Sequence, residues 1–74
     1  MSANVKPLTH WAIYKGYKLR FRSREPERAA GLLTNDAGVE MPFEYLPAER
    51  IIRLPGEEVR INEYGWELEH RDTQ

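Results

Sequence analysis

Tyr17-Lys18-Leu19-Arg20-Phe21-Arg22 alternates apolar with cationic residues for six positions, and no other stretch constrains the fold so tightly. Side chains of a strand alternate faces, so Tyr17, Leu19 and Phe21 fall on one side and Lys18, Arg20 and Arg22 on the other. A helix would scatter both sets around its axis. Val39-Glu40-Met41-Pro42-Phe43-Glu44-Tyr45 repeats the pattern, with Val39, Met41, Phe43 and Tyr45 on the apolar side. Pro42 lacks an N–H and predicts an edge or a bulge at that point. Trp66-Glu67-Leu68-Glu69-His70 alternates a third time, which predicts Trp66, Leu68 and His70 facing inward and Glu67 and Glu69 facing water.

Turn signals separate these runs. Asn35-Asp36-Ala37-Gly38 fits a type I turn followed by a left-handed glycine, which makes Ala29–Thr34 the partner strand of 39–45. Pro55-Gly56 divides Ile51–Leu54 from Glu58–Ile61, and Tyr64-Gly65 offers the next turn. Trp11-Ala12-Ile13-Tyr14 is rich in strand-favouring residues, and Lys15-Gly16 suits a hairpin turn into the basic strand. Residues 26–33 admit a helix, with Pro26 at its start, as the lesser reading beside the strand, and 47–50 a single helical turn. Short strands with turns every 8–12 residues predict a mainly β fold. The expected architecture is a small antiparallel, strongly bent sheet or SH3-like barrel of five to seven strands, with one or two helical turns at most. Residues 1–8 and 71–74 lack periodicity and are expected as flexible tails around one domain at 9–70.

The chain of 74 residues suffices for one domain. It has no cysteine, which excludes disulfides and thiolate chemistry. No apolar run approaches the roughly 20 residues of a membrane helix. Its first residues lack the apolar core of a signal peptide, so the expected compartment is the cytoplasm.

Catalytic signatures are sparse. Ser2 and Ser23 are the two serines, and neither sits in a nucleophile elbow. His10 and His70 have no neighbouring ligand at zinc-like spacing, although pairing of the first and last strands would bring them together. Glu67 and Glu69 stand about 6.6 Å apart on one strand face, but such residues ordinarily coat a solvent face. No glycine-rich phosphate loop occurs. No catalytic residue, metal ligand or cofactor site is assigned, and the chain is read as non-enzymatic.

Charge is segregated. Residues 1–28 carry seven cations against two carboxylates, +5, and residues 29–74 carry four arginines against ten carboxylates, −6. Three readings follow. The first is a regulatory or binding module acting through protein contacts, possible as a homodimer, with Trp11, Tyr14, Tyr45 and Tyr64 as contact residues. The second is a small barrel holding single-stranded nucleic acid on Lys15, Lys18, Arg20, Arg22 and Arg24, although a whole-chain pI near 6.1 speaks against a general nucleic-acid binder. The third needs no ligand: the basic strand is neutralised within the sheet by Glu40, Glu44, Glu67 or Glu69. What lies beside Arg20 and Arg22 discriminates among them.

Overall fold

The structure, a computed structural model, describes residues 6–72. A helix, α1 (Lys6–Tyr14), precedes six strands: β1 (Lys18–Arg24), β2 (Ala29–Thr34), β3 (Glu40–Leu46), β4 (Ile51–Leu54), β5 (Glu57–Ile61) and β6 (Glu67–Asp72). The strands form one antiparallel sheet in the order of the sequence. The sheet does not close into a barrel, so β1 and β6 are its edges.

Period-two patterning explains the core. Burial alternates along β1, with Leu19 and Phe21 turned inward, and along β2, where Ala29, Gly31 and Leu33 are buried. The register aligns the inward sets: Leu19 opposite Leu33 opposite Met41, and Phe21 opposite Gly31 opposite Phe43. Gly31 is the narrow point. A Cβ there would stand 2.0 Å from the Arg20 carbonyl oxygen, and its absence lets Phe21 and Phe43 meet edge to face across it at 5.9 Å. Tyr45, Ile52, Leu54, Val59 and Ile61 continue the core, and Leu8, Trp11 and Ala12 enter it from α1. Residues 26–33 hold no helix; Ala29–Thr34 is the strand that pairs with β3. Pro42 falls where β3 pairs with β2 but not with β4, whose pairing begins at Glu44, so the proline occupies a locally unpaired margin.

The N-terminal segment departs from expectation. Trp11-Ala12-Ile13-Tyr14 is helical, not a strand, and the boundary expected at residue 8 falls inside α1, where Leu8 is fully buried. Leu8, Trp11 and Ala12 share the spacing of one helical face, and Pro7 stands in the first turn, where its missing N–H has no intrahelical partner to lose. Lys15-Gly16 ends the helix instead of turning a hairpin. The Gly16 N–H donates to Ile13 C=O at 3.0 Å and the Tyr17 N–H to Ala12 C=O at 2.7 Å, with Gly16 at φ 82°. This is a Schellman cap, which uses the same left-handed glycine that a hairpin would. At the other end, Arg71 and Asp72 belong to β6 and not to a tail. Expectations for residues 1–5 and 73–74 fall outside the described residues.

The last strand shows the second departure. Trp66 and Leu68 are 46% and 56% exposed, while Glu67 turns inward. A bulge causes the reversal: Arg60 pairs with Glu69 but Ile61 pairs with Glu67, leaving Leu68 unmatched and shifting the alternation by one residue.

Candidate binding surface

Three features of the surface bear on function: the β1 edge, an aromatic patch beside α1, and the ion pairs of the outer sheet face. The outer face, opposite α1, receives Lys18 and Arg20 from β1, and their register partners on β2 are Thr34 and Leu32. Neither partner carries charge. Glu40 and Glu44 lie one strand farther, on β3. Two strand spacings amount to about 9.6 Å between backbones, and neither carboxylate pairs with Lys18 or Arg20. Glu44 is also engaged already, in close contact with Arg28 Nε and 3.7 Å from Arg53 Nη1. The hydrogen bond to Glu44 and the carboxylate's field raise the Arg28 guanidinium pKa above its ordinary value.

The other strands neutralise one another. Arg53 Nε reaches Glu58 at 3.3 Å and Arg60 Nη1 reaches Glu69 at 3.7 Å. Among the described residues, Lys18, Arg20 and Arg22 form no ion pair. Arg53 and Arg60 are thus paired within the sheet, whereas the three outward cations of β1 are not. Among the described residues β1 also has no strand partner on its far side. Its backbone groups directed away from β2 are those of an open edge.

The five cations expected to act together are divided. Lys15 Nζ lies 3.1 Å from Glu67 Oε2. Arg24 follows a bulge between Phe21 and Ser23 that transfers it to the inner side, where its guanidinium sits 5.0 Å from the Phe21 ring centroid. Lys18, Arg20 and the bulged Arg22 remain. No aromatic ring stands beside them on the outer face of β2 or β3, where the neighbours are Ala30, Leu32, Thr34, Glu40, Pro42 and Glu44.

The aromatics divide as well. Trp11 and Tyr45, expected as contact residues, are each 1% exposed and belong to the core. Burial pushes the Tyr45 phenol pKa up, against a smaller opposing pull from Arg50. Tyr14 and Tyr64 are exposed. Tyr14 meets Trp66 edge to face at 5.1 Å, and His10 meets the same indole at 4.9 Å. With exposed Ile13, these residues make a patch at the junction of α1 and the β5–β6 turn that sequence reading missed. Strict alternation predicts Trp66 inward, and a strand over 11–14 leaves His10 outside it. The legible signal was Asn62-Glu63-Tyr64-Gly65, which matches Asn35-Asp36-Ala37-Gly38 in its Asn-x-x-Gly form. In each, the Asn Oδ1 accepts two backbone N–H bonds, from Ala37 and Val39 at 2.9 and 3.0 Å and from Tyr64 and Trp66 at 2.8 and 3.0 Å. Such a turn places Trp66 at the mouth of a strand, where alternation has not begun.

Glu67 ties the patch to the core. The Trp11 indole N–H donates to its Oε2 at 2.9 Å. Partial burial pushes the Glu67 pKa up, but the hydrogen bonds from Trp11 and Lys15, with the charge of Lys15, outweigh that and hold it below the ordinary value. Glu67 and Glu69 stand on opposite faces of β6 and do not form a carboxylate pair.

His10 and His70 are not brought together. His70 is in close contact with Glu57 and lies 3.8 Å from Asp72, with the ligand atoms of the three within 4.8 Å of one another. Exposed carboxylates group in this way without an ion, and the grouping carries no metal assignment. Ser23 is half-buried on β1 opposite Ala30, and Ser2 lies outside the described residues. A shallow cavity of about 680 Å³ opens on the outer face of β4–β6, lined in part by Ile51, Tyr64, Leu68 and Arg71. Two more of its charged residues, Arg60 and Glu69, are paired with each other. No helix among the described residues is long and apolar enough to cross a membrane. Comparison of the chain with protein-family models, curated proteins and solved structures found no match.

Proposed function

We propose that this domain is a non-enzymatic binding module that works in the cytoplasm through protein–protein contacts, with the open edge of β1 as its docking element. The observation that carries the reading is the coincidence, on one seven-residue edge strand, of a missing strand neighbour and cations without internal partners. An open edge offers backbone donors and acceptors to an added strand, and alternate side chains supply selectivity. The patch of Ile13, Tyr14 and Trp66 adds residue types that anchor protein interfaces.

The same cations keep single-stranded nucleic acid as the second reading. It is weaker because such sites stack bases on aromatic rings beside the cations. Here Trp11 is in the core, Tyr17 packs against it at 5.7 Å, and Lys15 and Arg24 are engaged elsewhere. Self-association edge to edge through β1 is disfavoured, because like charges would be set across from one another.

Selection from a displayed peptide library, followed by mapping of amide chemical shifts, tests the proposal. Selected peptides are expected to perturb the amides of Lys18–Arg24 above all others. Perturbations confined to other strands, or turnover of a hydrolase or phosphatase substrate panel by the purified protein, overturn it.

A further inference from the structure

We infer that the segment taken up by the β1 edge is an extended acidic stretch of a partner protein in which carboxylates alternate with apolar residues. The inference rests on the strand-addition reading above and names the chemistry of its partner.

A strand added beside β1 would lie about 4.8 Å away, with each side chain facing the same side as the residue opposite it. On the outer face it meets Lys18 and Arg20, both exposed and neither paired. Their spacing of about 6.6 Å is that of alternate residues on the incoming strand. Carboxylates at every second position therefore meet a cation each, and among the described residues no carboxylate of this chain is paired with Lys18 or Arg20. Glu44 is held by Arg28 and Arg53, and Glu40 lies beyond β2.

The inner face asks for the opposite character. Leu19 and Phe21 pack against the core but remain half-exposed at the sheet margin. Residues facing them across a new strand pair extend the core only if they are apolar. The bulge after Phe21 ends the strict alternation. The readout therefore runs from Lys18 to Phe21, and the exposed Arg22 meets a further carboxylate beyond it.

A second copy of this chain supplies no such strand. A β1 edge against another β1 edge opposes cations to cations. The other open edge, β6, has its carboxylates engaged: Glu67 by Trp11 and Lys15, Glu69 by Arg60, and Asp72 near His70.

The test uses the whole chain and synthetic peptides: alternating Glu-Val, alternating Lys-Val, alternating Thr-Val, a scrambled Glu/Val peptide, and Glu-Val with alternate backbone nitrogens methylated. Titration is followed by β1 amide shifts, with oligothymidylate as a separate arm. The expected result is that Glu-Val binds best, weakens with added salt and is lost on backbone methylation. The double variant Lys18→Glu, Arg20→Glu should weaken Glu-Val by at least about tenfold and favour Lys-Val. Lys18→Gln, Arg20→Gln, which adds no repulsion, should lower Glu-Val affinity less and leave Lys-Val weak.

If Lys-Val or Thr-Val binds the wild-type edge as well as Glu-Val, the acidic assignment is overturned while strand addition stands. If the scrambled or methylated peptide binds equally well, strand addition itself is overturned. Tighter binding of oligothymidylate than of any peptide overturns both. Failure of every peptide to bind overturns the inference, and self-association of the Gln variant would then assign the cations to guarding the edge.

Discussion

Glu67 shows how much one misplaced side chain matters. It joins α1 and the cap that ends it to the last strand, accepting from Trp11 and Lys15. Its folded pKa lies below the ordinary carboxylate value, so its contribution is present above about pH 4.3 and is lost as pH falls through the folded value. Acid titration of stability should therefore be steeper for the wild type than for Glu67→Gln, measured by denaturant midpoints at stepped pH. Glu67→Ala leaves the indole N–H without its acceptor and should cost about 1–3 kcal/mol near neutral pH. Gly31 is the other decisive residue. Gly31→Ala would drive a methyl group into the Arg20 carbonyl and should destabilise by at least about 2 kcal/mol, seen as a lowered thermal midpoint. Alternation made Leu19, Phe21, Phe43 and Tyr45 legible as inward residues. It misassigned Trp66, Glu67 and Leu68 because a bulge shifts the phase without leaving a mark in polarity.

At the level of elements, the strands were readable and the helix was not. Trp11-Ala12-Ile13-Tyr14 favours a strand over four residues, a window too short to separate period two from period 3.6. Including Leu8 reveals the helical face, but Leu8 lies in a stretch with no pattern of its own. The helix is docked where Gly65, at φ 88°, lets the β5–β6 turn approach it closely. A Cβ on Gly65 would stand 2.5 Å from the Pro7 carbonyl oxygen and 2.9 Å from His10 Cβ. Gly65→Ala combines backbone strain with that clash and should cost about 2–4 kcal/mol. Loss of the His10–Trp66 and Tyr14–Trp66 contacts should accompany it, visible as a shift in tryptophan emission. The basic stripe was legible as a stripe. That it borders open solvent was not, because strand order and neighbours depend on contacts far apart in sequence.

Across the whole molecule, unpaired cations gather at the β1 edge and carboxylates on β3 to β6. The pairs between β3 and β6 are surface pairs worth little individually. Replacing Arg53, which touches both Glu44 and Glu58, by Met should change stability by no more than about 1 kcal/mol, measured by urea unfolding. The bond from Trp11 to Glu67 spans 56 positions of the chain. A ribosome delivers α1 long before β4, β5 and β6, so during synthesis the helix's apolar face waits for the strands that carry Ile52, Val59 and Ile61, and the indole N–H waits for Glu67. Nascent chains stalled just after Ile61 should accordingly be as protease-sensitive as an unfolded peptide, and resistance should appear abruptly, not strand by strand, once residue 72 clears the exit tunnel.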